Sequence, residues 1–203
     1  MSNWNDLITR YPSLASMTDA LDAACDLLET SFRSGGKLML CGNGGSACDC
    51  AHIAGELCKG FLKRRPLPKE LTDKIGEPWA LQLQQGLPAI DLTAQTGVMT
   101  AVINDIDGAS IFAQQVMAFG TEKDMLIGIS TSGNAENVRR ALITARAKGM
   151  KTLGMTGKTG GKMPALCDLT LHAGCDETYR IQEEHLRMYH QLCIEVEQAF
   201  FQE

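Results

Sequence analysis

The chain has eight cysteines but no C-x2-4-C pair anywhere in its 203 residues. That absence excludes the usual zinc–thiolate cluster. A disulfide framework would need an oxidising compartment, and nothing in the sequence points to one. Cys48 and Cys50 are too close to bridge, and Cys25, Cys167 and Cys193 lie in apolar segments. Cys41 ends a candidate buried strand; Cys48, Cys50 and Cys58 are expected to pack a helix. Most of the eight should be small buried hydrophobes. Long apolar runs are missing too, so no segment is expected to cross a bilayer. The first residues, MSNWNDLITRYPSLASM, have neither a basic nor an apolar signal region, and the cytoplasm is the expected location. Basic excess is also lacking. The net charge of −5 argues against nonspecific nucleic-acid binding. Neither G-x-x-x-x-G-K-[ST] nor G-x-G-x-x-G occurs, so a nucleoside triphosphate or a dinucleotide is not indicated. There is no internal repeat and no low-complexity segment.

What remains is an ordinary soluble composition, 44% hydrophobic and 21% charged, with the size of one α/β domain. Apolar spacing of three and four predicts helices over 14–33, 46–57, 95–105, 109–118, 134–149 and 177–200. Short apolar runs at 37–41, 88–92, 124–130, 151–156 and 168–173 predict five strands. Strands alternating with helices imply a three-layer sandwich, a parallel sheet covered on both faces. Residues 61–87, broken by Pro66, Pro68 and Pro78, read as a surface excursion with a helical turn or two near 69–75.

Two strand ends share a character. One runs Gly42-Asn43-Gly44-Gly45-Ser46 into a helix, the other Ser130-Thr131-Ser132-Gly133-Asn134. Ligands of open α/β sheets bind beyond such ends. Glycines let backbone amides approach an anion, and a helix N-terminus favours negative charge. N-caps and tight turns would explain one such loop; the four-residue polar run at the second favours phosphate. His52 and Glu56 stand at i and i+4, a spacing that suits two metal ligands or an acid–base pair. Gln182 and His190 share a stripe of the last helix, flanked by Glu183 and His185. Any one helical histidine is most simply a solvated or satisfied residue. A phosphate site beside an acid–base pair suggests proton transfer next to a carbonyl.

At CGNGGSACDCAHIAGEL, AVINDIDG, LIGISTSGNAENV, MTGKTGGKM and RIQEEHLRMYH the chain resembles the sugar isomerase (SIS) domain family, and within it the phosphoheptose isomerases. The resemblance implies a flavodoxin- or Rossmann-like single domain over 1–203, with an N-terminal helical segment (about 1–35) and an insertion (about 61–87). It implies a homotetramer with sites at subunit interfaces, and isomerisation of sedoheptulose 7-phosphate to an aldoheptose 7-phosphate for ADP-heptose synthesis. Ser46, Ser130, Thr131 and Ser132 would bind phosphate, with Asn43, Gly44, Asn104, Asp105, Asn134 and Gln182 around the sugar. His52, Glu56, Gln182 and His190 would hold one zinc ion per subunit. Glu56 would be the base, and His190 its acid–base partner. The chain departs from the pattern at Ala135, where a serine is usual, at Tyr179, and at a displaced arginine for which Lys59 or Arg64 would substitute. A non-catalytic SIS relative that binds the replication initiator, or an isomerase of another sugar phosphate, are the alternatives. Retention of both Glu56 and His190 favours an enzyme.

Overall fold

The computed structural model describes residues 4–201. Its strands are β1 (Leu38–Gly42), β2 (Ala89–Asp91), β3 (Met125–Ile129), β4 (Lys151–Thr156) and β5 (Leu169–His172). All neighbours pair in parallel, in the order β2-β1-β3-β4-β5. Every residue of β1 and β3 is buried, as strands covered on both faces must be.

The period-2 alternation of a strand sorts side chains between two cores. Leu38 and Leu40 face one core with Met125, Ile127 and Ile129. Helices α2 (Thr18–Arg33), α3 (Gly45–Cys58) and α8 (Thr178–Phe200) supply Leu21, Ile53 and Leu192 to it. Met39, Cys41 and Leu126 face the other, against α6 (Ile111–Phe119) and α7 (Glu136–Ala147) through Phe112, Val138 and Leu142. The remaining helix of the second half, α5 (Thr96–Asp105), ends at the surface.

The N-terminal segment is more broken than its spacing predicts. A short helix α1 (Asn5–Arg10) comes first, then a 3-10 turn over Pro12–Met17, and α2 begins only at Thr18. Trp4 and Leu7 are buried, and the Trp4 indole donates to Asp22 Oδ1 at 2.9 Å. Residues 1–3 of the expected helical segment lie outside the described residues.

The excursion holds one α-helix, α4 (Lys69–Ile75), and a 3-10 turn over Ala80–Gln82. Its tip is at the surface, but its base is not. Arg65 is 1% exposed and donates to Glu197 Oε1 (2.9 Å) and to the Leu57 carbonyl (2.7 Å). The amides of Phe61 and Leu62 donate to the same carboxylate at 2.8 and 2.7 Å. All eight cysteines are free thiols; Cys25, Cys41, Cys50 and Cys193 are buried, but Cys48 and Cys58 are exposed on α3 and do not serve as packing.

Candidate active site

In this strand order the chain reverses direction across the sheet between β1 and β3, and open α/β sheets place their ligands at such a switch. The loops after these two strands form one cleft of ≈ 370 Å³. Asn43, Gly44, Gly45 and Ser46 line one wall and Ser130, Thr131 and Ser132 the other. Ala135, Thr178 and Gln182 close it. The cleft is therefore met by the N-termini of α3, α7 and α8, and at none of them does a residue side chain cap the helix. Three uncapped positive helix ends around polar hydroxyls make an anion site. N-capping does not explain the hydroxyls; only Ser132 has a local role, its Oγ accepting from the Asn134 amide at 3.2 Å.

Close backbone approach holds the loops. Gly133 has φ +63, and a Cβ there would lie 1.8 Å from the Gly160 carbonyl oxygen. A Cβ on Gly161 would lie 2.3 Å from the Ser132 carbonyl oxygen and 2.8 Å from Asn134 Nδ2. A Cβ on Gly45 would lie 2.4 Å from Gln182 Nε2, so α8 rests its glutamine on the first turn of α3. Asn43 and Asn137 exchange side-chain hydrogen bonds at 3.0 and 2.9 Å. Gly133→Ala is expected to destabilise the fold by at least about 1–3 kcal/mol and to abolish stabilisation by inorganic phosphate in a thermal melt. An unchanged phosphate-dependent shift would contradict this account of the loop.

The second cluster lies further along the same two helices. His190 is eight residues beyond Gln182, about 12 Å along α8. His52 Nε2 is 3.4 Å from His190 Nε2 and 3.3 Å from Glu56 Oε1. Lys59 bonds the other Glu56 oxygen at 2.5 Å. Burial lowers the His190 pKa, the neighbouring His52 lowers it further, and Glu56 opposes, so the ring favours its neutral form. Tyr189 lies behind His52 and bonds both His52 Nδ1 (2.9 Å) and Asp49 Oδ1 (3.2 Å). Burial first, and the Asp49 charge second, push the Tyr189 phenol well above its ordinary value, so it keeps its proton.

Two residues of the expected set lie away from the cleft, and a third, Asn134, stands beside it on the Ser132 loop. Asn104 and Asp105 are exposed at the end of α5 and bond each other at 2.6 Å; neither lines the cleft. Asn134 is exposed and bonds the Ser132 carbonyl. Gln182 belongs to the anion cleft. His185 is a core residue with its Nε2 3.1 Å from the Thr156 carbonyl, and burial lowers its pKa. Arg64 is exposed, while Lys59 is the cation at Glu56.

Comparison with known proteins decides the family. Models of the SIS domain match residues 89–192 and 4–85. The chain belongs to the SIS domain family. Within that family it is 41% identical to a phosphoheptose isomerase of Helicobacter pylori (strain P12) over 188 residues, 93% of this chain and 88% of the relative. It is 42% identical to that of Aneurinibacillus thermoaerophilus over 170 residues, 84% and 76% of the two chains. Among solved structures, the phosphoheptose isomerase of Francisella tularensis superposes with a TM-score of 0.79 at 31% identity, covering 93% of this chain and 91% of that one. The Neisseria gonorrhoeae enzyme gives 0.76 at 31%, covering 93% and 90%. The two matched stretches share one SIS sheet, since β1 from the first lies between β2 and β3 from the second.

Metal binding by this SIS domain can be judged from its donors. Two imidazoles and a carboxylate suit zinc. Ligands 2.0–2.1 Å from a tetrahedral ion stand roughly 3.3–3.4 Å apart, the separations of His52 from Glu56 and His190. Yet among the described residues no three His, Cys, Asp or Glu side chains already enclose one metal position. The donor types and two of the spacings fit; Gln182 is not gathered with them. Spacing alone missed Asp49, Tyr189, Thr178 and Asn137. Their signal is tertiary: Asp49, Tyr189 and Asn137 bond partners on other elements, and Thr178 meets the cleft from the start of α8.

Proposed function

We propose that this protein is an aldose–ketose isomerase that converts sedoheptulose 7-phosphate to D-glycero-D-manno-heptose 7-phosphate, the step that opens ADP-heptose synthesis. One observation carries the reading: α3 and α8 each contribute to the anion cleft and, further along, to the His52–Glu56–His190 cluster. A sugar phosphate anchored in the cleft would run along α8 with its carbonyl end at the cluster. The phosphoheptose isomerase relatives at 41% and 42% identity support the substrate. A non-catalytic role is disfavoured because Glu56 and His190 both stand at His52.

The phosphate would be held by the hydroxyls of Ser46, Ser130, Thr131 and Ser132 and by the helix N-termini. Glu56 would take a proton from C1 of the ketose and return it to C2, through an enediolate. His190, neutral by burial, would give a proton to O2 and accept one from O1. Lys59 would fix the plane of the Glu56 carboxylate. His52, Glu56 and His190, with Gln182 drawn in, would hold one zinc ion per subunit. Bound there, zinc supplies Lewis-acid polarisation of the carbonyl.

Assembly as a homotetramer with sites at subunit interfaces belongs to the same proposal. Its support is that Ile103 and Ile106, beside Asn104 and Asp105, are 57% and 62% exposed, an apolar rim around polar residues absent from the cleft of their own subunit. The cytoplasm is the compartment the proposal implies; among the described residues no helix is long and apolar enough to cross a membrane.

Purified protein incubated with sedoheptulose 7-phosphate is expected to form the aldoheptose phosphate when metal-replete and to lose turnover on chelation. No product from metal-replete protein would sink the substrate. Full turnover after complete chelation would remove zinc from the account.

A further inference from the structure

On α3, Asp49 lies one turn before His52, and α8 drives Tyr189 between them. The ring of Tyr189 is buried, 2% exposed. Its hydroxyl donates to Asp49 Oδ1 at 3.2 Å and lies 2.9 Å from His52 Nδ1. A carboxylate only accepts hydrogen bonds, and a phenol has a single proton to donate. With that proton directed to Asp49, the Tyr189 oxygen is left as an acceptor for His52. We infer that Tyr189 and Asp49 are positioning residues that keep the His52 proton on Nδ1, so that Nε2 faces Glu56 and His190 with its lone pair free.

Of the two neighbours of Nε2, His190 agrees with this; the other, Glu56 Oε1 at 3.3 Å, is an acceptor that competes for a proton there, and the ring-nitrogen signals decide between them. Two imidazole Nε2 atoms 3.4 Å apart attract only when one of them carries a proton. With Nε2 of His52 unprotonated, His190 is the donor of that contact. The imidazole is then ready at Nε2 for a metal ion or a proton in transit. A histidine that works through one ring nitrogen is oriented by the bond its other nitrogen makes. Here a tyrosine hydroxyl stands between the histidine and the carboxylate. Because Tyr189 comes from α8 and the other two from α3, the relay also ties the helix carrying His190 to the helix carrying Glu56. Its consequence for turnover rests on the isomerase reading; the tautomer itself does not.

The test is read first on the unaltered, metal-free protein labelled with 15N-histidine. Four histidines give four pairs of ring-nitrogen signals, and His52→Gln identifies the pair from His52. The expected result is a protonated Nδ1 and an unprotonated Nε2. Tyr189→Phe, which keeps the buried ring, is expected to relax that preference and to weaken Zn²⁺ binding about 10–100-fold. Asp49→Asn should move the tautomer in the same direction. A His52 ring protonated on Nε2 in the unaltered protein would overturn the inference. So would a Tyr189→Phe variant with unchanged tautomer and unchanged zinc affinity. Failure to turn over sedoheptulose 7-phosphate would sink the isomerase reading and leave this one standing.

Discussion

Glu56→Gln is expected to lower kcat for sedoheptulose 7-phosphate by about 10²–10⁴-fold, the usual contribution of a general base. The amide keeps the shape of the side chain and can still accept from Lys59, but it cannot take the C1 proton. KM should change little, because the phosphate contacts lie in a different part of α3 and α8. Loss in kcat without loss in KM marks a group that acts only in the transition state. Stability should hardly move. Within its own helix Glu56 makes one ion pair, with Lys59, beside the 3.3 Å contact with His52, and such helical pairs contribute about 0.3–0.5 kcal/mol. Kinetics and a thermal melt on the same variant separate the two effects. Full turnover by Glu56→Gln would end its assignment as the base.

Arg65→Ala should have the largest effect on stability, roughly 3–5 kcal/mol, the cost of leaving a buried charge without its partner. The side chains of Arg65 and Glu197 are 0% and 1% exposed. Burial pushes the Glu197 carboxyl up, but the amides of Phe61 and Leu62 and the Arg65 guanidinium outweigh it, and the pKa ends below the ordinary value. A depressed carboxylate pKa stabilises the fold above the unfolded pKa, and that contribution is lost as pH falls through the folded one. The variant should therefore lose most stability at neutral pH and differ less from the parent in acid. Arg65→Met with Glu197→Gln should recover part of the loss, because it strands no charge and keeps an acceptor for the Phe61 and Leu62 amides. Denaturant midpoints across pH measure both. A loss below about 1 kcal/mol at neutral pH, the range of a surface pair, would show that the base of the excursion is not held this way. The excursion also bears on the site, since the ring of Phe61 lies 5.6 Å from that of His190.

The legible part of the fold is the part written in local period. All five strands and the helices from α2 onward fall within a few residues of their predicted bounds, because each is an apolar run or a three-four stripe ended by glycine or a polar loop. The six residues of α1 fall in the helical segment that the resemblance implies but show no period of their own; too short for one, they are held by burial of Trp4 and Leu7. Nor was the anchoring of the excursion, which depends on Arg65 finding Glu197 132 positions away. In the site, strand ends and helix starts were readable because glycine and hydroxyl residues cluster there. Tyr189 was not, since in sequence it is one more residue of the buried stripe of α8. Gln182 and His190 flank that stripe, half-buried, yet Gln182 lines the cleft while His190 stands at His52. Spacing places residues on a face; it does not say how far along the helix a ligand reaches.

The enediolate route has a direct signature in heavy water. Sedoheptulose 7-phosphate incubated with metal-replete protein in D₂O should yield aldoheptose 7-phosphate carrying deuterium at C2, because the proton taken by Glu56 exchanges with solvent before it returns. Formation of the aldoheptose without deuterium, or no aldoheptose at all, would contradict the account.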